Sequence, residues 1–448
     1  MQMHITLKKV WEKLKFDDLK IIGSQTLFTY GSRVIHYLCQ LGTLALITRG
    51  MSIENYGVLS VLRSVGEVVA CVGGMGLSFF LSREIPGQSE EEQVKTLKYC
   101  LKHEISLFFI LALFLVILSK VLTEFLNIKG FELALVILLI ANLFWLINTE
   151  VYRFQEYRKF IRLSVSLTML ERVFFLAFIA VFFILMKETL EVTIVAIATL
   201  GAFFLMTLVC GKTLPSSFWT VRDKDQTPFH QAFFKARHYM VIDVILILSL
   251  HIDRYFLTVF HSPEEAGTYV YAMAWIMLLS RLSIVVFNVT YPYLAEYFKK
   301  RDYKRALKSF LISSGIGSFL IIGGGVGLFV FCPFLVKWVS GVDYLVVIPF
   351  IRGLILIPLF RLIGVICQNL LNLINLEKFI AYGLLSFLIV KMVLCVILIP
   401  SLKEEGAVWA NNLSYLLACI FWIGGTFYFL RKKSVRFRIL MERMYYRE

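Results

Sequence analysis

Charge is scarce in this chain. Asp, Glu, Lys and Arg together make up 17% of 448 residues, where a soluble protein carries about 25%. Eight cysteines are present and no two form a C-x-x-C pair. Seven lie inside apolar runs and Cys100 lies near the edge of one, so they read as small buried hydrophobes, and a disulfide or metal framework is excluded. No phosphate-binding G-x-x-x-x-G-K-[ST] loop occurs, and no H-E-x-x-H zinc motif. An ATP-driven motor is therefore excluded unless another subunit supplies it. No long polar segment breaks the chain, and the loops on one side of the expected spans are all short. A membrane glycosyltransferase or polymerase usually needs a large acidic loop there, so the expectation is a protein without catalysis, cofactor or metal.

What fills the chain instead is apolar. Hydrophobic residues make up 58%, and phenylalanine alone occurs 40 times. A soluble chain of this length, about three domains, could not cover that surface with so few charges. Disorder is excluded by the same composition, since disordered chains are poor in aromatics. The remaining class uses lipid as part of its solvent. A mean hydropathy of +0.76 agrees. The net charge of +15 does not point to nucleic acid, because the basic residues sit in short clusters between long apolar runs.

A membrane-crossing helix needs about 20 mostly apolar residues. Twelve stretches qualify: 21–48, 56–82, 103–119, 130–151, 163–186, 189–211, 238–260, 266–297, 309–332, 345–374, 379–399 and 406–430. With the N-terminus inside, the inner segments hold 32 Lys and Arg and the outer loops hold six. That asymmetry places both termini in the cytoplasm. No cleavable signal peptide is expected, because the first twenty residues are charged. There Leu7, Val10, Trp11 and Leu14 share a helical face, which fits either a helix lying on the membrane surface or a frayed basic tail.

Eight basic residues remain within the spans: Arg33, Arg63, Arg172, Arg254, Arg281, Arg352, Arg361 and Lys391. Glu67, Glu171, Asp243 and Asp253 accompany them. Each charge costs about 2.5–3.5 kcal/mol at the centre of a lone helix, so these groups must face one another or water. Their spacing supports a shared cavity. Thr29, Arg33, His36, Gln40 and Thr43 recur at helical steps in the first span. Ser60, Ser64, Glu67, Cys71, Gly74 and Ser78 do so in the second, where Arg63 and Glu67 can pair as i and i+4. In the tenth span Arg361, Gly364, Gln368, Asn372 and Asn375 repeat the pattern, and Pro349 and Pro358 predict a broken helix. In the seventh, Asp243 and Arg254 lie three turns apart on one face, with His251 beside Arg254. Any one stripe could equally be glue between helices; four together favour a water-filled pathway. Glu171 and Arg172 are adjacent and point apart, so a structural pairing suits them as well as a role in transport. Lys391 could hold a lipid or a backbone carbonyl, and His36 could pack or carry protons.

The chain also repeats. Ser52-Ile53-Glu54-Asn55-Tyr56-Gly57 and Ser262-Pro263-Glu264-Glu265-Ala266-Gly267 are offset by 210 residues, and at that offset Leu97-Lys98 falls on Leu307-Lys308. The expectation is an all-α polytopic membrane protein with about twelve transmembrane helices in two pseudo-symmetric six-helix lobes around a central cavity. The boundaries expected are a surface segment 1–20, an N-terminal lobe 21–212, a cytoplasmic linker 213–237, a C-terminal lobe 238–431 and a basic tail 432–448.

Leu46-Ile47-Thr48-Arg49, Glu54-Asn55-Tyr56-Gly57, Gly76-Leu77 and Arg83-Glu84-Ile85-Pro86 resemble the polysaccharide transporter family, the Wzx-type oligosaccharide flippases of the multidrug/oligosaccharidyl-lipid/polysaccharide (MOP) exporter superfamily. In the second half Asp253-Arg254, Gly267-x-Tyr269, Tyr291-Pro292-x-Leu294-Ala295 and Gly406-Ala407 are similar too. Ala266 and the charged segment after Pro400 depart from the family pattern. The resemblance implies a two-lobed protein that carries an undecaprenyl-pyrophosphate-linked sugar repeat across a bacterial cytoplasmic membrane for O-antigen, capsule or exopolysaccharide. It makes a lipid-linked oligosaccharide and membrane lipids the partners, with the polymerase and chain-length proteins of the same pathway nearby.

Such a cargo is anionic at its diphosphate. Arg33, Arg63, Arg254, Arg281, Arg352 and Arg361 are the residues expected to bind it, since guanidinium grips phosphate bidentately. Gln40, Gln368, Asn372 and Asn375 would meet the sugars. Glu67, Asp243, Asp253 and His36 are candidates for coupling to an ion, on their intramembrane position alone. The alternatives are a cation-coupled drug exporter of the same superfamily, which calls for an acidic cavity, a sugar-ligating or polymerising enzyme, or a flippase for a peptidoglycan or teichoic precursor.

Overall fold

The structure, a computed structural model, describes residue 28 and residues 31–85, 88–221, 229–299, 302–373 and 376–445. The surface segment expected over 1–20, and Asn375, lie outside the described residues.

Every regular element among the described residues is helical. In chain order they are α1 (31–50), α2 (Ile53–Gly74), α3 (Leu77–Glu84), α4 (Glu90–Ile117), α5 (Ser119–Phe125), α6 (Glu132–Tyr157), α7 (Ile161–Leu185), α8 (Val192–Thr213), α9 (Ser217–Thr220), α10 (Phe229–Phe260), α11 (Pro263–Lys299), α12 (Tyr303–Ser340), α13 (Ile348–Gly353), α14 (Ile357–Leu373) and α15 (Glu377–Tyr445). Among the described residues seven helices are long and apolar enough to cross a membrane, or eight when the bent pair Asp343–Gly353 and Ile357–Leu373 counts as one. That pair meets at 45°, beside Pro349 and Pro358, the break the prolines predict.

The 69-residue α15 is two antiparallel arms. The chain reverses at Lys403 (φ 51°, ψ −130°), three residues after Pro400. Phe379 then stacks on Phe421 at 4.8 Å, and Phe387 meets Tyr415 at 4.8 Å. Residues 42 apart could not touch along a straight helix, which rises about 1.5 Å per residue. The α10 and α11 helices, 32 and 37 residues long, carry Asp243, Asp253, Arg254 and Arg281 within their length.

Several helices run past the apolar stretches that announce them. The third span, expected to begin at 103, begins at Glu90, where Ser89 accepts from the Glu92 amide and Glu92 bonds back in a capping box. Hydropathy marks the part of a helix that meets lipid; caps mark where the helix starts.

Burial sorts the spans by position. In α2, the least apolar of the seven, 67% of the spanning window is buried, against 22% for α4 and α7. The central helix can afford Ser60, Arg63, Ser64 and Glu67 because protein covers it. Around it are two main cores. Leu62, Leu138, Phe175 and Val195 belong to one, from the first half of the chain. Tyr271, Ile276, Ile351 and Ala407 belong to the other, from the second half.

The two halves meet where the repeat lies. A β-carbon on Gly57 would stand 1.8 Å from the Pro263 carbonyl oxygen, and one on Gly267 would stand 2.1 Å from that of Ile53. Positions 53 and 263, like 57 and 267, are related by the repeat offset, so α2 and α11 cross about a local two-fold axis. Only glycine permits this backbone approach.

The same end is tied further. Thr48 Oγ1 donates to Ser340 Oγ at 2.6 Å, and the Tyr271 hydroxyl lies 2.5 Å from that oxygen. Arg49 caps the end of α12, its Nε donating to the Val339 carbonyl at 3.0 Å. Tyr344 donates to the Met51 carbonyl at 3.1 Å. Over these bonds Tyr56 packs edge to face with Tyr271 and Tyr344, whose own rings are tilted against each other.

Candidate functional site

Below that seal, away from Gly57 and Gly267, lies a cavity of about 300 Å³ between α1, α2, α7, α10 and α11. Helical spacing aims its polar residues. Gln40 and Thr43 come from α1, Ser60, Arg63 and Glu67 from α2, Arg172 from α7, His251 and Arg254 from α10, and Arg281 from α11. Four guanidinium groups thus line a space that holds one carboxylate.

Their partners are sparse. Arg254 donates through one terminal nitrogen to Ser60 Oγ at 3.0 Å, and Arg281 to Gln40 Oε1 at 2.7 Å. Glu67 stands between Arg63, 3.6 Å from Nε, and His251, whose Nε2 is 3.0 Å away. The Arg63 guanidinium also lies 5.5 Å over the Phe175 ring. Arg172 is 3.8 Å from Glu171, which accepts from the Tyr152 hydroxyl at 2.9 Å. Arg254 and Arg281 therefore bond only neutral oxygens of Ser60 and Gln40, which leaves their charge and several donors available to an anion.

A second chamber of about 360 Å³ continues along α1, lined by Ser32, Arg33, His36 and Tyr37. It shares Arg172 and Arg281 with the first, so those two side chains stand at the passage between them.

Of the residues singled out from sequence, the structure brings Arg63, Arg254, Arg281, Gln40 and Glu67 to the first chamber, and Arg33 and His36 to the second. Others lie elsewhere. Arg352, at the end of α13, sits 5.1 Å over the Phe329 ring and donates to the Phe329 carbonyl. It faces α12 because the proline break turns this part of the tenth span outward. Arg361 donates to the Met277 sulfur on α11. Gln368 and Asn372 are half-buried on α14 and line neither chamber.

Asp253 is held in a knot inside the second half. Its Oδ2 accepts from Lys391 Nζ at 2.9 Å, from the Tyr269 hydroxyl at 2.5 Å and from Asn411 Nδ2 at 2.8 Å. Lys391, expected to meet a lipid or a carbonyl, makes this ion pair and also donates to the Ser249 carbonyl. Asp253 therefore points away from the cavity that its neighbour Arg254 lines. Asp243 lies near Arg153 and Glu150 instead of the cavity.

Sequence reasoning left Arg172 undecided and passed over His251 as a site residue. The signal for Arg172 was present: Thr168, Arg172 and Phe175 follow at helical steps on α7, and all three line a chamber.

The sequence profile of a family described as "Polysaccharide biosynthesis protein" matches residues 22–298. The chain belongs to this family. A search of curated proteins finds no match. Solved structures share the fold of this family member. One is an inward-facing multidrug resistance MATE transporter of the MOP superfamily, with TM-score 0.73, 13% identity, and coverage of 91% of this chain and 99% of the other. Another is the lipid II flippase MurJ in an inward closed conformation, with TM-score 0.68, 17% identity, and coverage of 90% and 87%. A third is a MOP superfamily transporter from Pyrococcus furiosus whose binding pocket is described as of reverse polarity, with TM-score 0.62, 13% identity, and coverage of 90% and 95%. The chain thus has the two-lobed fold of MOP superfamily transporters.

Proposed function

We propose that this protein flips an undecaprenyl-pyrophosphate-linked oligosaccharide across the bacterial cytoplasmic membrane, for assembly of O-antigen, capsule or exopolysaccharide. The observation that carries the reading is the cavity between the halves, where Arg63, Arg172, Arg254 and Arg281 face a single carboxylate. A cationic drug would be repelled there. A diphosphate would be gripped bidentately by guanidinium groups that stay charged when partly desolvated.

The seal at Gly57 and Gly267 and the chamber running down α1 to Arg33 give the cavity a direction. With the basic segments cytoplasmic, the state described is closed to the outside. Cargo enters past Arg33 and His36, and its diphosphate is passed to Arg172 and Arg281. Its sugars meet Gln40, Thr43 and Ser60, while the polyprenyl tail stays in the bilayer. Opening the glycine crossing while the inner end closes completes alternating access. No covalent step is assigned to the protein, and the polymerase of the pathway receives the product.

Deletion of the gene should leave a lipid-linked oligosaccharide on the inner leaflet. Its composition separates a sugar repeat from a peptidoglycan or teichoic precursor. Normal surface polymer in a strain carrying Arg172→Ala, Arg254→Ala and Arg281→Ala together, with the protein present in the membrane, would overturn the reading.

A further inference from the structure

A second set of ionisable groups lies outside the cavity, where α2, α3, α4 and α6 pack together and α10 packs on α2 and α3. Glu104 on α4 is 0% exposed and Glu150 on α6 is 1% exposed. Glu150 Oε1 accepts from Ser78 Oγ at 3.0 Å and from Arg153 at 3.4 Å. Its other oxygen, and both oxygens of Glu104, meet no donor among the described residues. Asp243 on α10 faces the same Arg153. Further titratable groups here, among the described residues, are Cys71 from α2, Tyr99 and Cys100 from α4, and Tyr157 from α6.

Among the described residues three carboxylates thus face one guanidinium. Fully ionised, they would leave two uncompensated negative charges within the helix bundle, and a buried carboxylate without donors is among the costliest arrangements a protein can hold. A proton removes the conflict. It neutralises one carboxyl and removes the cost of burying that charge without donors.

We propose that Glu104 and Glu150 form a proton-binding site that holds one proton between them and reports its occupancy to α10 through Arg153 and Asp243. Release of that proton into water raises the negative charge facing α10 by one unit, and uptake restores it. The α10 helix is suited to carry the change. Asp243 and Arg254 are eleven residues apart on one face, about 16 Å along the axis, and Arg254 lines the cargo cavity. Between them and α15, Asp253 is pinned to Lys391. A shift of α10 driven at Asp243 therefore moves both a cavity arginine and the contact with α15. Only the use made of the proton rests on the flippase reading.

The test needs no cargo. Infrared spectra of the full chain in lipid nanodiscs should contain the C=O stretch of a protonated carboxylic acid, and a component of it should vanish in Glu104→Gln and in Glu150→Gln. Gln matches the neutral acid in shape, so both variants should fold; a preserved thermal transition checks this. The protection of α10 amides, taken relative to intrinsic exchange at each pH, should change with pH in the wild type and lose that change in Glu104→Gln. Variant spectra that superimpose on the wild type, or an α10 response unchanged in Glu104→Gln, would overturn the proposal. Failure of undecaprenyl diphosphate to bind the wild type would instead strike the cargo reading and leave the infrared result standing.

Discussion

Asp253 and Arg254 are neighbours in sequence and belong to two different electrostatic worlds. Arg254 enters a chamber where four guanidinium groups share one carboxylate and have space in front of them. Asp253 enters a knot where Lys391, Tyr269 and Asn411 take up its bonding capacity and no space remains. Both are charges on α10 inside the helix bundle, and their intrinsic cost to the fold is similar. The difference is in what settles that cost. In the knot the protein does so itself, permanently. In the cavity the settlement is left incomplete, and an anion can complete it. An intramembrane charge becomes a candidate for function when its compensation is missing, not merely because it is charged.

The sharpest way to break this contrast is to open the knot. Asp253→Ala leaves the Lys391 ammonium, itself 1% exposed, without its counter-charge. Removing one member of a buried pair costs about 3–5 kcal/mol, so folded yield in detergent and the thermal transition should fall steeply. The double variant Asp253→Leu with Lys391→Met should recover much of that loss. A double variant no more stable than Asp253→Ala would show that the pair is not what costs the energy.

In the cavity the expectation reverses. Arg281→Ala removes one of the groups that stand between the two chambers, where it donates to the neutral Gln40 side chain. Stability should barely change, while binding of undecaprenyl diphosphate should weaken. A charge-assisted bond contributes about 1.5–3 kcal/mol, which is roughly 10- to 100-fold in affinity. Scintillation proximity or microscale thermophoresis in nanodiscs reads this directly. A stability loss as large as that of Asp253→Ala, with binding intact, would make the arginine structural.

A smaller effect of opposite sign is expected at Glu67, the single carboxylate among these arginines. Glu67→Gln keeps the shape and removes the charge, which leaves Arg63 and His251 without their anionic neighbour. Affinity for the diphosphate should rise by about 2- to 5-fold, on the scale of a partly screened pair worth up to about 1 kcal/mol. Weaker binding in this variant would mean that Glu67 positions Arg63 and does not compete for it.

How much of this could be read from sequence follows from what periodicity encodes. The steps of three and four that select Arg33, His36, Gln40 and Thr43 report one face of one helix, and the first span does present that face to the two chambers. The pairing of Arg63 with Glu67 is local and was legible for the same reason. The 210-residue offset was legible as a repeat, and the crossing at Gly57 and Gly267 gives it a physical meaning, since each copy makes room for the other. What periodicity does not encode is which neighbour a face meets. Lys391 and Asp253 are 138 residues apart in sequence, and nothing local joins them. Glu104 and Glu150 sit at the ends of apolar runs, where a carboxylate reads as a helix end, and only packing reveals that both are covered.

Arg352 tests the other edge of the contrast, a charge in a span that belongs to neither world. It is exposed, and it leans on the Phe329 ring and carbonyl at the bend where α13 ends. An exposed cation–π contact is worth about 0.5–1 kcal/mol, so Arg352→Ala should lower the thermal transition slightly and leave diphosphate affinity and surface polymer unchanged. It carries the same guanidinium group as Arg281, and on composition alone the two are interchangeable. A loss of binding in Arg352→Ala comparable to that in Arg281→Ala would mean that net positive charge anywhere in the bundle suffices, and that the chamber between the halves does not select the anion.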